Sequence, residues 1–196
     1  MPLKLLGTIA SSVQKASTSY ESIATVTVGS GGSSSISFTS IPATYTHLQL
    51  RGIMRSDRSY PLDIPYVEVG NGSIDTGANY SWHRIYGNGT FFGADSAASQ
   101  NNMYTLICPG STGGSNVFGV AVIDILDYAN TNKYKTVRSL SGADLNGTPS
   151  SVGGQLYFSS GNWRSTSAIT NIRITPVVGP NFVQYSQFAL YGIKGA

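Results

Sequence analysis

The sequence predicts an all-β fold, an antiparallel two-sheet sandwich, with a jelly roll preferred over an immunoglobulin-like sandwich or an open barrel. An N-terminal arm precedes it. Three observations predict this. Short runs that alternate apolar and polar residues recur along most of the chain, separated by Gly, Asn and Pro. The composition disfavours helices, with two Glu and five Lys against 23 Gly and 12 Tyr. Residues 117–126 are apolar on both faces, a pattern that asks for a layer on each side.

The strand signals begin where Val26 and Val28 alternate with Thr25 and Thr27; Gly31 and Gly32 then make a flexible turn before Ile36 and Phe38, and the two runs read as a hairpin. In residues 47–54, Leu48, Leu50 and Met54 share one face and His47, Gln49 and Arg51 the other. Ile53 interrupts the polar side and marks a contact with a second layer or a neighbouring subunit. Residues 55–64 lose the alternation and read as a loop, with Pro61 and Pro65 closing it. Asn71-Gly72, Asn88-Gly89 and Asn146-Gly147 tolerate positive φ and mark turns. Between the first two, Tyr80, Trp82, Arg84 and Tyr86 fall on one side of a strand. Residues 90–102, rich in Ala, Ser and Asn, read as an exposed loop. Residues 117–126 read as the most buried strand; further runs near 103–108, 134–140, 155–159, 169–175 and 185–194 bring the count to about ten or eleven. The last run, followed by little else, sews that end into a sheet, so the reaching segment is the N-terminal one. The division is therefore an arm over residues 1–19 and one sandwich over 20–196.

Charge gives little direction. Charged residues are only 11% of the chain, and the formal charge of +3 is spread out, with Lys133, Lys135 and Arg138 as the densest cluster, which reads as a solvated β-hairpin. A nucleic-acid reader concentrates its basic residues more strongly, so none is expected as a partner. No run approaches the roughly 18 apolar residues needed to cross a bilayer, so a soluble protein with no membrane partner is expected. Cys108 is the sole cysteine and sits in an apolar run, which reads as a buried small hydrophobe.

A catalytic constellation is not legible. His47 and His83 lie on predicted strands outside any nucleophile or metal motif, and each reads as a half-buried hydrogen-bonded residue. Asp124 and Asp127 are three apart on a strand and point to opposite faces, so without a bulge they cannot pair as acid and base. Asp124, inside an apolar run, needs a partner such as Arg84 or Arg138. Asp57, Asp63 and Asp75 lie in loops without the spacing of a calcium loop. The expectation is no enzyme, no cofactor and no metal. Four Asn-x-Ser/Thr matches, at Asn71, Asn79, Asn88 and Asn146, read as turn chemistry. Trp82, Trp163, Tyr66 and Tyr80 are candidates for an aromatic platform under a sugar ring, against core packing as the plainer reading.

Several segments together resemble small virion structural proteins of tailed bacteriophages, notably those infecting cyanobacteria. They are residues 45–52 (Tyr-Thr-His-Leu-Gln-Leu-Arg-Gly), 79–89 (Asn-Tyr-Ser-Trp-His-Arg-Ile-Tyr-Gly-Asn-Gly), 118–142, 160–170 and 186–194. The resemblance implies a virion location, as a tail-fibre, baseplate or capsid-decoration component assembled in the host cytoplasm, and a homotrimer with other virion proteins as partners. It brings no binding residues with it. Within this expectation the arm anchors the protein in the particle through Leu3, Leu5, Leu6 and Ile9. The rival expectation is a lectin-like module that recognises host-surface glycan.

Overall fold

The computed structural model describes residues 19–147 and 153–194. Their strands are β1 (Tyr20–Thr27), β2 (Ile36–Phe38), β3 (His47–Met54), β4 (Leu62–Asp63), β5 (Tyr66–Asn71), β6 (Ser73–Ile74), β7 (Tyr80–Gly87), β8 (Phe92–Gln100), β9 (Cys108–Pro109), β10 (Gly119–Leu126), β11 (Lys135–Asp144), β12 (Gly154–Trp163), β13 (Asn171–Thr175) and β14 (Gln187–Ile193). An eight-stranded sheet runs β1-β14-β3-β10-β11-β12-β7-β8, and a four-stranded sheet runs β2-β13-β5-β6. The pairings are antiparallel throughout.

The chain alternates between the two sheets: β1, β3, β10 and β14 form one layer, and β2, β5, β6 and β13 the other. The spatial orders β1-β14-β3-β10 and β2-β13-β5-β6 are those of a jelly roll. Beyond β10 the first layer continues through β11, β12, β7 and β8, doubling its width. The expected jelly-roll sandwich is therefore present, carrying a four-strand extension. β14 lies between β1 and β3, with ladders on both sides, so the expected sewing of the 185–194 run into a sheet holds.

The core lies between the layers because period-two alternation sends one side of each strand inward. Leu48, Leu50, Ile123, Ile125, Phe188 and Leu190 meet Ile36, Phe38, Val67, Val69, Ile172 and Ile174, all at most 4% exposed. Each such side chain is worth about 1.5–3 kcal/mol of burial. Cys108 is buried as expected, and burial pushes its thiol well above the ordinary range. Under the extension the four-stranded sheet gives way to the segment 101–109. Inward-facing Ser139 and Ser141 are small enough to admit it, Ser139 Oγ donating to the Thr105 carbonyl (2.7 Å) and Ser141 Oγ accepting from the Ile107 amide (3.1 Å).

Four expectations need correction. The runs at 25–28 and 36–38 form no hairpin: β1 pairs with β14 in one layer and β2 with β13 in the other. The Gly-rich connection is an arch between layers, pinned where Ser33 bridges Phe182. Residues 90–102 are not a loop but mostly β8, an edge strand paired along its length with β7. Lys135, expected in a solvated basic cluster, is wholly buried. Lastly, β10 is covered on one face only: Ala121, Ile123 and Ile125 are buried, whereas Val120 is 59% and Val122 39% exposed.

Candidate assembly face

That uncovered side belongs to a continuous surface. The antiparallel registers align outward-facing residues of successive strands into rows that cross the eight-stranded sheet. One row reads Ile53, Val120, Gly142, Leu156, Gly87 and Phe92, from β3 to β8. The next reads Arg51, Val122, Leu140, Phe158, Ile85 and Ala94. Apart from Arg51 these two rows carry no charge. The third row is polar: Gln49, Asp124, Arg138, Ser160, His83 and Ser96.

Eight aliphatic or aromatic side chains of the apolar rows are about half exposed, from Val122 at 39% to Phe92 at 70%. At roughly 200 Å² per side chain they present on the order of 800 Å², against roughly 300–600 Å² for the largest apolar patch of a typical monomer. The surface has relief. Val122, Leu140 and Phe158 form a glycine-free row over β10, β11 and β12, a ridge beside the concavity of about 660 Å³ that opens at Gly87, Gly142 and Leu156 of the first row. Toward β14 a hollow of about 280 Å³ opens between Arg51, Ile53, Val122 and Tyr191, floored by the small side chain of Ala189. Arg51 flanks that hollow, with its guanidinium 5.1 Å from the Tyr191 ring and its Nε donating to Gln49 (2.8 Å).

The polar row is internally satisfied. Asp124 accepts from Arg138 Nη2 and Gln49 Nε2, both at 2.8 Å, so the expected arginine partner is Arg138. Partial burial opposes ionisation of Asp124, but these two donors outweigh it and hold the carboxyl below the usual range. Arg84 pairs instead with Asp95 in a two-pronged contact (2.7 Å each) on the inner face, with the rings of Trp82 and Tyr157 5.0 and 4.6 Å from its guanidinium.

The loop carboxylates serve as backbone anchors. Asp57 accepts from the Asn181 amide (2.9 Å), and Asp63 from the amides of Ile64 and Gly179 (2.9 and 3.2 Å). Together they tie residues 55–64 to residues 178–182. Asp75 accepts from Trp163 Nε1 (2.8 Å), the Gly77 amide (2.8 Å) and Asn79 Nδ2 (2.9 Å). His47 is half-buried, and its Nδ1 accepts from the Asp127 amide (3.0 Å); His83 is exposed on the polar row rather than half-buried. Among the described residues no cluster of three or more His, Cys, Asp or Glu is placed to hold a metal ion.

The four aromatic candidates do not form one exposed platform. Tyr80 is fully buried, its hydroxyl proton within reach of the Val69 and Asp75 carbonyls (2.7 and 2.8 Å), and Trp163 is 3% exposed with its indole held by Asp75. Their large rings fill the space between layers, so they are unavailable to a sugar. Trp82 and Tyr66 are half-buried, joined edge-on through Tyr104 (5.8 Å to each). Leu3, Leu5, Leu6 and Ile9 lie outside the described residues.

The sequence held one sign of the assembly face, the double-sided apolarity of residues 117–126, reinforced by Ile53 on a polar side. Leu140, Leu156, Phe158 and Ile85 went unnoticed because each stands alone among polar neighbours, and only the register gathers them. Compared with known proteins, the chain matches no family model, no curated protein and no solved structure.

Proposed function

We propose that this chain is a structural component of a bacteriophage particle, an accessory tail-fibre, baseplate or capsid-decoration protein whose work is attachment. The observation that carries this reading is the apolar outer face of the eight-stranded sheet, which is larger than a lone soluble domain ordinarily leaves in water. A surface of that kind belongs to a molecule that is covered by a neighbour in use. The resemblance of residues 45–52, 79–89, 118–142, 160–170 and 186–194 to small virion proteins supplies the kind of particle. In this reading the protein is a homo-oligomer, a trimer by that resemblance, and the N-terminal segment holds it to other virion proteins through Leu3, Leu5, Leu6 and Ile9. The jelly roll alone does not choose this function, since unrelated activities share the fold.

The test is mass spectrometry of purified particles made with the wild-type gene or with Leu3, Leu5, Leu6 and Ile9 all replaced by Ser. The wild-type chain is expected in the particles in stoichiometric amount, and the variant, folded but unincorporated, in the lysate. A wild-type chain missing from the particles overturns the reading; a variant that incorporates normally removes the anchoring role. Specific capture of the wild-type chain on a glycan array would instead favour the lectin-like alternative.

A further inference from the structure

We infer that the outer face of the eight-stranded sheet is a self-association interface, in which the Val122–Leu140–Phe158 ridge of one copy seats in the Ala189 hollow of the next. This rests on the reading of the chain as an assembly component and names the partner at that surface: a second copy of this chain.

Size is the first argument. Roughly 800 Å² of apolar surface per copy matches the roughly 800 Å² that each partner contributes to a standard protein interface. The ridge carries no charge, the one charge beside the hollow is Arg51, whose guanidinium lies 5.1 Å from the Tyr191 ring, and the border row pairs Asp124 with Arg138. Two copies of a protein of net charge +3 can therefore meet here without bringing bare like charges together.

Shape is the second. The ridge runs over β10 to β12 and the hollow lies toward β14 and β3, with Val122 on their shared edge, so one copy offers both halves of the contact. Ridge into hollow closes as a pair about a two-fold axis near β10, or as a ring of three if each ridge meets the next copy's hollow. Two sheets with the same twist pack face to face about 10 Å apart, so side chains of valine, leucine and phenylalanine size fill the gap.

The third argument joins sequence to structure. β10 carries the pattern of a strand covered on both faces, yet among the described residues only one face is covered. A copy laid across β10 supplies the missing layer.

Sedimentation equilibrium of the full chain tests this over ~1–100 µM, the range in which a weak standard-size interface reveals itself. The expected mass is two or three times 20.7 kDa. Phe158→Glu and Leu140→Glu on the ridge, and Ala189→Lys in the hollow, are each expected to weaken association at least about 100-fold while leaving circular dichroism unchanged. Mixing the Phe158→Glu and Ala189→Lys chains is expected to restore a mixed dimer if the assembly is the two-fold pair, because the new charges meet where ridge met hollow, whereas a ring of three keeps one mismatched contact and is not restored. Should a glutamate variant fail to fold, Leu140→Ser makes the same cut more gently. A monomeric wild-type chain at ~100 µM, or ridge variants that associate as well as wild type, overturns the proposal. A monomer that is nonetheless found in particles leaves the assembly reading standing and gives this face to another protein. An oligomer absent from particles does the reverse.

Discussion

Lys135 shows how far a single residue can depart from what its type suggests. Its ammonium, shut off from water, donates to the carbonyls of Asn130 (2.5 Å), Lys133 (2.9 Å) and Thr166 (3.1 Å), binding the β10–β11 turn to the β12–β13 connection. Burial, helped by the Lys133 charge, holds that ammonium below its ordinary value. Lys135→Met keeps the stem and removes the three donated bonds, so it is expected to cost about 2 kcal/mol or more, read as a lower urea midpoint with unchanged slope. Asp75 is the acidic counterpart. Burial opposes its ionisation, yet Trp163, Gly77 and Asn79 together hold its carboxyl below the ordinary 3.8. A folded value below the unfolded one means the unfolded chain takes up the proton first as pH falls. The stability contributed by Asp75 is therefore complete above about pH 4 and is lost as pH drops through the folded value. Wild type is expected to be more stable than Asp75→Asn at pH 7, with the gap closing toward pH 3; parallel curves in urea titrations at both pH values would contradict this. Neither residue was legible beforehand. A lysine reads as surface until loops distant in sequence surround it, and Asp75 meets Trp163 88 residues away.

At the scale of the element, alternation was a reliable guide wherever one face met the core and the other water, as in β3, whose Leu48, Leu50 and Met54 are buried as expected. The Asn-Gly turns were legible too, because the backbone there needs positive φ: Gly72 and Gly89 sit at +71° and +92°, and Asn146 at +51°. β8 was hidden because Ala and Ser alternate without contrast, so its period carries no signal; it is a strand because β7 presents a ladder to it. The arch after β1 was hidden for a related reason: a Gly-rich connection permits a hairpin and a crossing equally, and the choice is made by β14 and β13. An edge strand of small residues holds its amides less firmly than an inner one. In native-state hydrogen exchange, β10 and β3 are expected to be the slowest strands of the large sheet and β8 the fastest. Exchange of residues 92–100 as slow as that of β10 would contradict the placement of β8 at an edge.

The whole molecule combines a jelly roll with a four-strand extension, and the extension is what makes the outer face large. Without β11, β12 and β7 there would be no Leu140, Phe158 or Ile85, and β10 would expose an ordinary scatter of apolar side chains. The sandwich was legible from strand count and turn spacing, and the jelly roll was preferred among sandwiches, but the strand order was not legible, since the expected hairpin of β1 with β2 would have put both in one layer. The breadth of the sheet was not, because neighbours in space are assigned by pairing across the chain rather than by any local pattern. The two-faced apolarity of β10 reads as a layer within the chain; the described residues supply one layer, and in the proposed assembly a neighbouring copy supplies the other.

Hydroxyl-radical footprinting of the full-length protein at ~50 µM, well above a micromolar dissociation constant, tests that claim most directly, since it reads the solvent exposure of individual side chains. Phe158, 49% exposed in the isolated chain, is expected to be protected relative to Tyr134 at 54% and Tyr185 at 71%, which lie outside the two apolar rows. Labelling of Phe158 as fast as its exposure in the isolated chain dictates would leave the face bare and contradict the account.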